Sequence, residues 1–118
     1  MRENDDLADR LFNFAVRAIR FLKKLPNTPE FTTIRYQFSK SSSSSGANYE
    51  EAQAGSSRPD FNNKVRISYR EMRESNYWLR IIKATLNELR EDEELNWLLN
   101  ESEELKRILG SIVSKTNK

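Results

Sequence analysis

From Asp6 to Leu25 the apolar side chains Leu7, Leu11, Phe14, Ala18, Phe21 and Leu25 recur at alternating steps of four and three residues. That spacing places them on one side of an α-helix and the charged residues on the other. Lys23 and Lys24 suit its C-terminal end and Pro26 stops it, which predicts a helix over 6–25. Thr28-Pro29-Glu30 reads as an N-cap, an N1 proline and an acidic first turn, opening a second helix with Phe31, Ile34 and Phe38 inward. Beyond Gly55, Ser57-Arg58-Pro59-Asp60 is another helix start with Ser57 as its cap. Phe61, Val65, Ser68, Met72, Ser75, Leu79, Ile82, Leu86 and Leu89 then keep the four-three alternation. They predict a long third helix over 59–89, roughly 40 Å at about 1.5 Å per residue. Glu91 to Glu94 supply a turn and an acidic start, and Leu95, Leu98, Ser102, Leu105, Leu109 and Ile112 mark a fourth helix over 93–114.

The middle of the second element supports two readings. Ser41 to Ser45 followed by Gly46 has the composition of a flexible linker, because serine and glycine are poor helix formers. Yet Phe38, Ser42, Ser45, Tyr49 and Ala52 keep helical phase straight through the tract. Small residues on a helix face also let a neighbouring helix come close. The alternatives are a hinge and one continuous helix over 29–55. With the continuous helix, four amphipathic segments joined by short connections predict an all-α fold, an antiparallel up-and-down four-helix bundle occupying 1–118 as one domain.

Composition narrows the chemistry. A chain of 118 residues suits one core. Three glycines and three prolines are too few for the turns of an all-β fold. The chain has no cysteine and no histidine. That removes disulfides, thiolate metal sites, the commonest general base and any Ser-His or Cys-His nucleophile pair. No enzyme activity, metal, cofactor or small-molecule substrate is therefore expected. The N-terminal stretch is acidic where a signal peptide is basic, and no apolar run approaches a membrane span, so a cytoplasmic protein without a membrane partner is expected.

A net charge of +2 says little; the placement of the charges says more. Arg10, Arg17, Arg20 and Lys24 form a row on the first helix, and Arg66, Arg70, Arg73, Tyr77 and Arg80 form one on the third. Arginines in a row with an aromatic among them could follow phosphates and stack on a base, giving an RNA or nucleoprotein partner. The alternative is a solvated face with intrahelical pairs such as Arg70 with Glu74. A second stripe on the third helix, Ile67, Glu71, Glu74, Trp78 and Ile81, sets two carboxylates on an apolar flank. Carboxylates there need partners such as Lys40, Arg73 or the Asn48 amide, which makes a polar layer the natural reading. A paired-carboxylate acid-base site would lack a nucleophile. The apolar members of this stripe could also serve a second subunit.

Ser44-Ser45-Gly46-Ala47-Asn48-Tyr49-Glu50-Glu51-Ala52, the Asp60-Phe61 pair and the run Arg70-Glu71 to Glu74 to Tyr77-Trp78-Leu79 resemble the signature of the 23S rRNA intervening-sequence proteins. The Leu25-Pro26 helix end and the Glu101 to Leu105 stretch match as well, so the resemblance spans almost the whole chain. It implies a four-helix bundle with the serine tract helical, assembling as a homo-oligomer, typically a pentamer. It also implies a polar layer drawn from Ser44, Asn48, Glu51, Glu71 and Glu74. A related accessory protein of diversity-generating retroelements is a more basic pentameric barrel that binds nucleic acid. This chain has Lys40 where the family usually carries arginine, and serines where alanines are usual. The expectation is an oligomeric bundle that binds RNA through its arginine rows; a protein-interaction scaffold with no nucleic-acid role is the alternative.

Overall fold

In the computed structural model, which describes residues 3–55 and 57–116, the four amphipathic stretches are four α-helices: α1 (Glu3–Phe21), α2 (Pro29–Ala54), α3 (Arg58–Thr85) and α4 (Glu93–Thr116). There is no strand among the described residues. Each helix packs on the next in sequence, and α4 closes the ring against α1. Cross-helix pairs run in opposite directions at each seam where they occur. Ser41 and Ser45 meet Ser75 and Ser68 across α2 and α3. Asn76 and Lys83 meet Ser102 and Asn96 across α3 and α4. Arg10, Arg17 and Lys24 meet Glu101, Glu94 and Asp92 across α1 and α4. The architecture is thus an antiparallel up-and-down bundle, 45 × 27 × 22 Å.

The serine tract is helical throughout, so periodicity prevails over composition. Ser41, Ser42 and Ser45 are fully buried in line with Phe38, Tyr49 and Ala52. At the centre of the seam the Ser45 hydroxyl donates to the Ser68 carbonyl at 2.8 Å, and the Ser68 hydroxyl donates to the Ser45 carbonyl at 2.7 Å. One turn of α2 away, Ser41 Oγ and Ser75 Oγ lie 2.7 Å apart. A hydroxyl reaches a carbonyl on a facing helix only where the two backbones approach closely, and serine's small volume permits that approach. On the other side of α2, Gly46 faces Leu11 of α1. A Cβ at Gly46 would lie 3.3 Å from the Leu11 Cβ and 3.5 Å from its carbonyl carbon. The tract is therefore a narrow waist between α1 and α3, and its helicity comes from packing on both sides rather than from propensity.

Helix ends depart from the stripes in instructive ways. α1 loses its α geometry at Phe21 and finishes as a 3-10 turn, Leu22–Lys24, because Leu25 must be extended ahead of Pro26. α3 stops at Thr85 rather than 89. Leu86 turns to an extended conformation and Asn87–Leu89 forms another 3-10 turn, which keeps Leu86 buried although it has left the helix. Thr28 sits at the N-cap of α2, but its hydroxyl makes no capping bond. Ser57 does cap α3, accepting from the Asp60 amide at 3.2 Å. Asp92 caps α4 through the Leu95 amide at 3.0 Å while its other oxygen accepts from Lys24 at 2.7 Å, so one carboxylate starts α4 and fastens the end of α1.

Candidate nucleic-acid interface

The two basic rows meet different fates. Facing α4, the α1 row is consumed by intramolecular pairs. Arg10 grips Glu101 with Nε at 3.0 Å and Nη2 at 2.9 Å, and the same Nη2 reaches Glu104 at 2.9 Å. Arg17 holds Glu94 through Nε at 2.8 Å and Nη2 at 2.9 Å, and its guanidinium carbon lies over Trp97, 3.5 Å from the ring centroid. Lys24 completes the row on Asp92. Arg20 is exposed. Three of the four cations proposed on α1 therefore clamp α1 to α4.

These contacts shift the titration of the groups involved. The Glu101 hydrogen bond pushes the Arg10 guanidinium above its ordinary range, and the Glu94 bond does the same for Arg17. In return the Arg17 bond depresses the Glu94 carboxyl, the Lys24 bond depresses Asp92 and the Arg10 bond depresses Glu104. A carboxyl depressed by folding takes up its proton more readily in the unfolded chain, so acid favours unfolding. Its contribution is complete at neutral pH and is lost below about pH 4. Denaturation midpoints measured from neutral pH downward should hold until that region and then fall. The fall should be shallower in Arg17→Met, which has already lost the Glu94 pair.

On α3 the row looks outward over α4. Arg70, Arg73, Tyr77 and Arg80, with Lys106 of α4 and Glu74, line an open cleft of about 400 Å³. Four of these six residues are cations and one is a carboxylate. A second cleft continues it along α3 and α4 past Tyr69, Asn100 and Gly110, and there Lys106 pairs with Glu103 at 3.2 Å and Arg107 with Glu104 at 3.3 Å. Arg66 is half-buried at the N-terminal side of the row. The Arg73 guanidinium lies over the Tyr69 ring at 5.7 Å, and that of Arg80 over Tyr77 at 5.6 Å. Arg80 is also fixed from the interior. Its Nε donates to Asn76 Oδ1 at 3.0 Å, Asn76 Nδ2 donates to Ser102 Oγ at 2.9 Å, and Ser102 Oγ donates to the Leu99 carbonyl at 3.0 Å. A buried amide thus ties the groove to the α3 and α4 seam.

The residues expected in a polar layer fall outside the core. Ser44 and Asn48 are half-buried and bond to each other within α2, Asn48 Nδ2 donating to Ser44 Oγ at 3.0 Å. Glu51 is exposed. Glu74 accepts from the Trp78 indole at 3.0 Å. Glu71 is half-buried, and burial followed by the nearby Glu74 charge raises its carboxyl, with Lys40 and Arg70 acting in the opposite sense. The interior polar contacts belong instead to Ser41 with Ser75, Ser45 with Ser68 and Asn76 with Ser102. Their signal in the sequence was position: Ser45, Ser68, Ser75 and Ser102 occupy the inward stripes of their helices, and Ser41 lies next to one. No group of three or more acidic residues among those described is arranged to hold a metal ion, and no described helix is long and apolar enough to cross a membrane.

Comparison with known proteins adds three findings. The family described as 23S rRNA-intervening sequence protein matches residues 3–111. A crystal structure of a protein of unknown function from the S23 ribosomal protein family, from Bacteroides thetaiotaomicron, is similar at 34% identity. The similarity covers 91% of this chain and 97% of that one, with a TM-score of 0.78. No curated protein matches the chain.

Proposed function

The chain belongs to the 23S rRNA-intervening sequence protein family, and from that premise we propose that it is a non-enzymatic, homo-oligomeric bundle that binds RNA through the α3 and α4 groove. The observation that carries this reading is the asymmetry of the two basic rows. Glu101, Glu94 and Asp92 neutralise Arg10, Arg17 and Lys24, whereas Arg70, Arg73 and Arg80 border one open groove with a single carboxylate on its wall, where Lys106 is itself paired with Glu103. A groove of that charge attracts a phosphate backbone and releases condensed counterions on binding it. The family's own description, which refers to rRNA, points to RNA as the polyanion.

Self-association has separate support. Phe12 and Ile19 lie seven residues apart on one flank of α1 and are 65% and 47% exposed. Aligned on one flank, they offer a small apolar surface on which a second copy could pack. The resemblance implies five copies, and sedimentation measures the number. The same flank favours the competing reading, a protein scaffold with no nucleic-acid role.

Binding of a labelled RNA to the assembled protein distinguishes the two. Affinity is expected to fall steeply with salt and to drop by about tenfold or more in the Arg70→Ala, Arg73→Ala, Arg80→Ala triple variant. Arg10→Met and Arg17→Met should lower stability and leave affinity within about twofold, because their charges are already spent inside the bundle. An intact oligomer with no affinity for RNA, or one whose binding ignores the triple variant, would remove the groove from consideration.

A further inference from the structure

The geometry points to an unpaired RNA strand as the occupant of this groove, held by two tyrosine-arginine clamps, Tyr69 with Arg73 and Tyr77 with Arg80. This inference rests on the RNA-binding reading and adds the form of RNA and the atoms that select it.

The clamps are recognised by their spacing. Arg17 on Trp97 is a closed contact, with the guanidinium carbon 3.5 Å from the ring centroid. The two groove pairs stand open at 5.7 and 5.6 Å. A flat base inserted between two planar groups needs about 3.5 Å on each side, or about 7 Å in all. Each groove pair is therefore wider than a direct contact, and its guanidinium carbon lies about 1.4 Å short of the separation a sandwiched base requires. Arg73 is exposed, and movement of about 1.4 Å is small for an exposed side chain, which changes rotamer within nanoseconds. Arg80, anchored at Nε by Asn76, opens instead by swinging its outer nitrogens about that bond. Tyr77 is 49% exposed and is braced edge-on by Trp78, with ring centroids 5.4 Å apart. The platform is therefore both accessible and fixed.

The distance between the clamps selects the strand. Tyr69 and Tyr77 are separated by eight residues of one helix, which is about 12 Å at about 1.5 Å per residue. Successive stacked bases are only about 3.4 Å apart, so one strand can fill both clamps only with its bases splayed. Bases paired in a duplex are shielded by their partners and cannot enter, whereas single strands expose them to aromatic and guanidinium planes. Arg70 borders the path and remains for the phosphates.

The test compares a short labelled RNA strand with the same strand annealed to its complement, using the full chain in its native assembly. The single strand is expected to bind about tenfold more tightly than the duplex. Tyr77→Leu should reduce single-strand affinity by about tenfold and leave duplex affinity unchanged, and Tyr77→Phe, which keeps the ring, should retain the preference. Equal affinity for the two forms, or a Tyr77→Leu variant that still prefers the single strand, overturns the clamps. If binding nonetheless remains sensitive to the arginine triple variant, RNA binding by the groove survives. Absence of any RNA binding by the unaltered protein overturns both.

Discussion

Ser68→Leu is expected to lower stability by about 3–5 kcal/mol, whereas Ser68→Ala should cost about 1 kcal/mol or less. Ser68 is fully buried where α2 and α3 are close enough for each serine hydroxyl to reach the opposite carbonyl, at 2.7 and 2.8 Å. Leucine must push the helices apart, which strains the packing by about 1–3 kcal/mol and stretches the reciprocal hydrogen bonds, each contributing about 1 kcal/mol. Alanine keeps the backbones together. The Ser45 carbonyl loses its hydroxyl donor but lies within α2, where the helix ladder still serves it, and alanine's better helix propensity offsets part of the loss. For a domain of this size the leucine variant should melt roughly 10–20 °C lower. Equal effects of leucine and alanine would mean that the seam is not tight.

Phe38→Ala is expected to cost about 3–5 kcal/mol, and Phe12→Ala should leave the folding of the bundle itself almost unchanged. Phe38 is 0% exposed and sits one turn before the serine seam. Its removal leaves a cavity that the facing helices cannot fill, because the small residues beside it already hold them at closest approach. Phe12, at 65% exposed, touches mostly water. Urea denaturation should show a lower midpoint with unchanged slope for Phe38→Ala. If Phe12 lies between copies of the chain, Phe12→Ala should reduce the assembly mass at low concentration without shifting the midpoint of the isolated subunit. A Phe12 effect on folding as large as that of Phe38 would contradict the placement of α1.

Much of this fold was legible because its core is built from registers that a linear sequence displays. The four-three spacing of Leu7 to Leu25 and of Val65 to Ile82 marked the buried faces of α1 and α3, and the structure buries those positions. Position also located the buried serines except Ser41, which lies beside the stripe read from the sequence. What composition obscured was their effect: a hydroxyl with a carbonyl opposite it stabilises a close helix contact, and the partner belongs to another helix far away in sequence. Helix ends were less legible. Leu86 and Leu89 continue the α3 stripe, yet a change of backbone at Leu86 carries the pattern through a 3-10 turn. Least legible was the difference between the basic rows. Arg17 and Arg73 look alike in sequence. Only the antiparallel docking of α4 on α1 brings Glu94 and Trp97 to the first and leaves the second beside an open groove.

That difference directs the functional account, because a charge already spent on an internal carboxylate has little left for a phosphate. The buried chain from Arg80 through Asn76 to Ser102 reinforces the contrast, since it aims one groove arginine from inside the bundle at no cost in charge. Photo-crosslinking of bound RNA, with the attached residues identified by mass spectrometry, reads the location directly. Links should fall on Tyr77, Tyr69 and their neighbours on the facing surfaces of α3 and α4. Links confined to α1 around Arg10 and Arg17, or spread evenly over the surface, would contradict the account.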